Sequence, residues 1–197
     1  MNKLAGIDYG SKMAGTTVFA LWDPSEKALI LEISEKKKDA DRFLQNQVAK
    51  HQPDLIVLDA PLSLPGRLIH GAPYESYFYR LCDQHFKAMS PMFLGGLTAR
   101  AIQLKDQILA QQTTQIVEGY PSAVADLLDL KALNYKKEKT HIPTVLKTLN
   151  THFPFSLPGD VPSWHHVDAL LCLLTALRIQ LKQAEKIGDP KEGLIYL

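Results

Sequence analysis

Apolar and polar positions along the chain change period several times, and each change marks an expected element. Residues 3–10 (KLAGIDYG), 15–22 (GTTVFALW) and 27–34 (KALILEIS) are short runs rich in apolar and β-branched residues. Tight connections separate them, including a DPSE turn at 23–26. Segments of this kind read as strands, and short connections favour antiparallel neighbours, so the three predict a meander. Residues 34–52 then set Phe43, Leu44 and Val48 in a polar background, which suits an amphipathic helix. LIVLD at 55–59 is continuously apolar up to its aspartate, as expected of a central parallel strand covered on both faces. Strand, helix, strand is the crossover that permits parallel pairing. The fourth strand is therefore expected parallel to the first.

Farther on, residues 74–89 and 97–112 read as helices, with Ala101, Leu104, Ile108 and Leu109 near one side of the second. TTQIVEGYP at 113–121 predicts a fifth strand ending at Glu118, and Pro121 sits where a helix can start. A further helix is expected within 137–153. The firmest helix covers 163–186, with Ser163 as cap and Val167, Leu170, Leu171, Leu174, Leu177 and Leu181 on its apolar side. The tail 187–197 is expected as a short extended piece or a frayed end. The order βββαβ, helices, β, helices predicts one α/β domain over 1–197 with a sheet of about five strands. A helical and loop insertion is expected around 61–112.

Composition narrows the class. A chain of 197 residues that is 46% hydrophobic can bury a core. Its formal net charge of +1 gives no global signal for nucleic acid, so any such contact has to come from a local patch. Cys82 and Cys172 form neither a disulfide framework nor a CxxC motif and are expected as reduced, buried thiols. The longest apolar run, ALLCLLTAL at 169–177, is short of the roughly 20 residues a membrane span needs. No leader pattern opens the sequence, and a cytoplasmic protein is the expectation.

The chemistry lies in where acids fall. Asp8 ends the first strand, Asp59 the fourth and Glu118 the fifth. Ligands of open α/β sheets sit beyond the carboxyl ends of parallel strands. Asp8 shares a face with Gly6, which leaves space beside it, and Asp59 shares one with Val57 and Leu55. Asp168 lies in the first turns of the leucine-rich last helix, where a carboxylate needs a partner or solvent. Taken singly, each acid is as well explained by a turn or a helix cap. Taken together they suit a divalent cation, because crowded carboxylates repel and magnesium or manganese relieves this with oxygen ligands. The expected site has Asp8 bridging, with Asp59, Glu118 and Asp168 completing one ion or two and water as nucleophile.

The stretches GIDYGSKMAG, IVLDAPLSLP, YRLCDQHF, VEGYPSAV and HHVDALLCLLTALR, in this order, resemble a family of uncharacterised proteins of the DUF429 type, predicted RNase H-like nucleases. The similarity runs from the first strand to the last long helix. It implies a ribonuclease H-like fold, with a five-stranded mixed sheet in the order 3-2-1-4-5 whose fourth and fifth strands are parallel to the first. It implies a metal-dependent phosphodiesterase using Mg2+ or Mn2+. Asp8, Asp59 and Asp168 match acids of the wider superfamily, and Glu118 matches an acid of the family itself. Arg80 and Asp83 match its Arg-x-Cys-Asp stretch, with Arg80 expected near phosphate. Relatives often carry a further acid three or four residues before the last aspartate. This chain has Trp164 and His165 there, which makes His165 an auxiliary candidate and weakens full two-metal chemistry.

Nucleic acid is the partner this implies, and Lys136, Lys137 and Lys139 are candidate contacts. Two other readings stay open on sequence. One is a non-catalytic binding or structural protein on the same fold, favoured by the missing acid and the near-zero charge. The other is a nucleotide-binding protein of the actin and sugar-kinase type, whose phosphate loop DYGSKMAG resembles loosely.

Overall fold

The computed structural model describes residues 2–197. The first three strands are β1 (Leu4–Asp8), β2 (Val18–Asp23) and β3 (Ala28–Ile33). Helix α1 (Ala40–His51) leads to β4 (Leu55–Asp59). Four helices follow: α2 (Gly66–His70), α3 (Leu81–Phe86), α4 (Pro91–Leu94) and α5 (Gly96–Leu109). Strand β5 (Gln115–Gly119) and helix α6 (Pro121–Leu127) come next. Two 3-10 turns, at Leu130–Leu133 and Lys139–His141, precede α7 (Ile142–Asn150). Helix α8 (Trp164–Gln180) and the hairpin β6 (Lys186–Asp189) and β7 (Gly193–Tyr196) complete the chain.

The sheet order is β3-β2-β1-β4-β5-β7-β6. β1 pairs antiparallel with β2, β2 antiparallel with β3, and β4 and β5 run parallel to β1. This is an α/β sheet with the expected order 3-2-1-4-5, extended by two strands. The tail neither frays nor lies alone. It folds into a hairpin whose β7 pairs parallel with β5, Ile195 against Glu118.

Alternation along the strands makes two cores. On one face Ala5, Ile7, Phe19, Leu21, Ile56 and Leu58 pack on Leu44 and Val48 of α1 and on Ala101, Leu104 and Ile108 of α5. Helix α5, at the end of residues 61–112, closes this core. On the other face Leu4, Val18, Ala20, Leu55, Val57 and Val117 meet α6, α7 and α8. Helix α8 is buried nearly all round through residues 166–177. Residues 74–80, expected as helix, are a loop. Ser76 Oγ accepts the backbone N–H groups of Phe78 and Tyr79, a local bonding pattern that competes with helix. Among the described residues no helix is long and apolar enough to cross a membrane.

Helix α8 lies directly against the backbone of β1 at Gly6. A Cβ on Gly6 would collide with the backbone of Ala169, Cys172 and Leu173. The space beside Asp8 that Gly6 leaves is therefore filled by a helix. Gly6→Ala must push α8 off the sheet, and overpacking of this kind costs about 1–3 kcal/mol. Gly96→Ala, where nothing lies within 4 Å of the added carbon, is expected to stay within about 0.5 kcal/mol of wild type. Urea denaturation of the two variants checks this difference.

Candidate metal centre

Register builds the first half of the site. Asp8 of β1 is directly opposite Asp59 of β4 in the parallel ladder. Both side chains lie on the α8 face, so two carboxylates end neighbouring strands roughly 5 Å apart. Helix α8, seated on Gly6, supplies the second half. Asp168 is one helical turn beyond His165, so both residues look onto the strand ends. Oxygens of Asp8, Asp59 and Asp168 lie within 4.8 Å of one another. Two oxygens bound 2.0–2.1 Å from one magnesium lie at most about 4.2 Å apart. A small side-chain adjustment closes the difference, and an all-carboxylate donor set fits a hard divalent cation.

The electrostatics are those of a crowded anionic site. Burial, reinforced by the charges of Asp8 and Asp168, holds the Asp59 carboxyl well above the usual range. Burial also raises Asp168, against the pull of the nearby Lys136 ammonium. One ammonium and one imidazole meet the cluster, the imidazole carrying charge when protonated. Lys136 Nζ lies 2.7 Å from Asp168 Oδ2, and His165 Nδ1 lies 2.9 Å from Asp8 Oδ2. The hydrogen bond to Asp8 raises the His165 pKa, working against partial burial. Tyr135 donates its hydroxyl to Asp168 Oδ1 and meets Trp164 edge-on. Tyr135 and Lys136 both come from the turn after Leu130–Leu133, where Asn134 and Lys136 adopt positive φ. Tyr135 carries no sequence signal as a site residue. Lys136, expected on phosphate, rests on the acid cluster, whereas Lys137 and Lys139 are exposed.

Glu118 does not join the cluster. The β4–β5 register sets it opposite Leu58, not Asp59, so the pleat turns it to the other face of the sheet. There it meets Arg80, which is fully buried. Arg80 Nη1 and Nη2 donate to Glu118 Oε2 and Oε1 at 2.7 and 2.6 Å. Nε and Nη2 donate to Asp83 at 3.0 and 2.7 Å, and Nη1 to Ser63 Oγ at 2.8 Å. Arg80 is thus committed to carboxylates and does not face phosphate. Glu118 Oε2 also accepts the Leu62 N–H at 2.9 Å, which ties down the loop immediately after Asp59. Burial alone would raise Glu118, and the guanidinium pulls it back. A second buried carboxylate, Glu192, accepts the N–H groups of Gly66 and Leu81, each at 2.7 Å. These bonds fasten α2 and α3 to the terminal hairpin.

The two acidic groups respond to mutation in opposite ways. Arg80→Ala leaves Glu118 and Asp83 buried without a counter-charge and is expected to cost about 3–5 kcal/mol. Asp59→Asn relieves repulsion and is expected to stabilise the metal-free protein by about 0.5–2 kcal/mol at neutral pH. A carboxyl whose pKa is raised by folding favours the native state while protonated. Its contribution falls as pH rises from the ordinary aspartate value of 3.8 through the raised native value. The advantage of Asp59→Asn over wild type should therefore grow with pH across that window. Urea denaturation at a series of pH values in the presence of a chelator measures it.

No family model matches this chain, and no curated protein matches it. Among solved structures it is similar to RuvC of Thermus thermophilus in complex with a Holliday junction substrate. That match has 13% identity over 95% of this chain and 99% of the other, with a TM-score of 0.49. A second structure of Thermus thermophilus RuvC gives 13% identity over 94% and 98%, with a TM-score of 0.48.

Proposed function

We propose that this protein is a metal-dependent nuclease that hydrolyses phosphodiester bonds. The observation that supports it is the meeting of Asp8, Asp59 and Asp168, three acids far apart in sequence, in one small volume beyond the strand ends. These residues would hold Mg2+ or Mn2+. Such an ion, when bound, offsets charge on the scissile phosphate and lowers the pKa of water to make a nucleophile. The chain's own groups do the rest. Asp8 and Asp59, set side by side by strand pairing, fix the position of the cation. Asp168 completes the donor set from α8, and Tyr135 fixes its rotamer through a hydrogen bond. His165 orients Asp8 in place of the acid that relatives carry. Lys137 and Lys139, exposed next to Lys136, are the proposed contacts to the phosphate backbone, which position a strand without reading its sequence. Two free, buried cysteines accord with a reducing compartment, and we place the protein in the cytoplasm.

Calorimetric titration with manganese tests the site. Wild type is expected to bind saturably, and Asp8→Asn to lose at least about 100-fold in affinity. Equal binding by both proteins, or none by either at millimolar metal, would sink the assignment. Manganese-dependent cleavage of single-stranded, duplex or branched nucleic acid should disappear in the same variant, which also controls for contaminating nucleases.

A further inference from the structure

A cavity of about 240 Å³ opens next to the acid cluster, and Asp59 belongs to both. It lies beyond the ends of β4 and β5, between the loop after Asp59 and the start of α5. Its volume is below the roughly 300–1,000 Å³ of pockets for drug-sized ligands, so it has room for one planar ring system and not for a folded partner.

The lining has two kinds of surface. Tyr9, Tyr120, Leu97 and Met89 give an aromatic and apolar wall, with Met89 largely exposed. Asp83 and Glu118 line the cavity as well, and both are buried. Their carboxylates are anchored by Arg80 but not saturated. Glu118 Oε1 accepts one guanidinium N–H. Asp83 Oδ1 accepts one at 2.7 Å, besides a distant thiol contact from Cys82. A carboxylate oxygen can accept two hydrogen bonds, so each retains acceptor capacity. An apolar wall beside fixed, unsaturated acceptors suits a flat heterocycle whose edge carries amino groups. A nucleobase has both features. Stacking on aromatic rings tolerates any base, because every base presents a π-face.

Position supplies the remaining constraint. Asp59 lines the cavity and belongs to the acid cluster, so a strand whose phosphate lies at the carboxylates passes the cavity mouth. We infer that the cavity receives the base of one unpaired nucleotide from the strand whose phosphate lies at Asp8, Asp59 and Asp168. The substrate is then single-stranded or locally unpaired nucleic acid. This rests on the nuclease reading above and adds a substrate class to it. A base paired in a duplex has its edge occupied and its faces stacked, so continuous duplex cannot fill the cavity without unpairing.

Fluorescence anisotropy with a labelled single-stranded oligonucleotide tests the inference, with calcium replacing the reactive metal to suppress turnover. Each nucleotide is replaced in turn by an abasic residue. Wild type is expected to show one position where loss of the base weakens binding at least about tenfold. Ala88→Trp, which fills the cavity from one wall, should bind the intact and abasic strands equally. Leu97→Trp does the same from another wall and serves if the first variant does not fold. Tight binding by wild type with no sensitive position overturns the base pocket and leaves the nuclease reading standing. So does a sensitive position that persists in the folded, filled variants. If wild type binds no nucleic acid, whether single-stranded, duplex or branched, the nuclease reading itself fails and the pocket with it. Even where neither variant folds, a wild-type series with no sensitive position overturns the pocket.

Discussion

The contact of α8 with β1 at Gly6 is the constraint on which the site depends. A helix normally keeps its distance from a sheet because side chains stand between the two backbones. Here one position has none, and the helix backbone at Ala169, Cys172 and Leu173 occupies the room. That approach brings the first turns of α8 over the ends of β1 and β4. Asp168 and His165 come with it, because their place on the helix is set once the helix is seated. The interior of the same helix is buried on all sides, which makes its position hard to shift without loss of core.

Two groups of buried carboxylates then stand close together, with opposite physical character. Asp8, Asp59 and Asp168 are under-neutralised. Lys136 and His165 reach them from the rim, both with partly exposed side chains, and among the described residues Asp59 has no cation within bonding distance. Glu118 and Asp83 are closed around one buried guanidinium with bonds of 2.6–3.0 Å. The first arrangement stores repulsion that a divalent cation would relieve. The second is charge-paired by Arg80 and immobilises the loop following Asp59 through Leu62. The proposed division of labour follows from this: one cluster meets the cation and the phosphate, and the other forms a fixed wall of the cavity beside it.

Much of the fold was legible in the chain. The apolar and β-branched runs at 3–10, 15–22 and 27–34, and the continuous apolar run at 55–59, all became strands, with the expected polarity. Asp8 and Asp59 were legible as strand-end acids because each closes an apolar run. The helix expected at 74–89 was not there, since Ser76 bonds to its own neighbourhood and only residues from Leu81 onward turn helical. The terminal hairpin was missed because four-residue strands carry too few positions to show a period.

Glu118 marks the boundary between what the chain determined alone and what folding decided. Its sequence places it at the end of a strand, as with Asp59. The pairing of Leu58 with Glu118 puts it one residue out of step, and a period of two then sends it to the opposite face. Register depends on two strands at once, so no reading of either could supply it. Likewise Lys136 and Tyr135 reach Asp168 through a turn whose direction is set by packing on α8, not by local pattern. The order of elements, the strand-end acids and the glycine beside Asp8 belong to the sequence. Which acids share a face, which cation each meets, and the cavity beside Asp59 belong to the tertiary structure, because each is a relation between segments that only packing brings together.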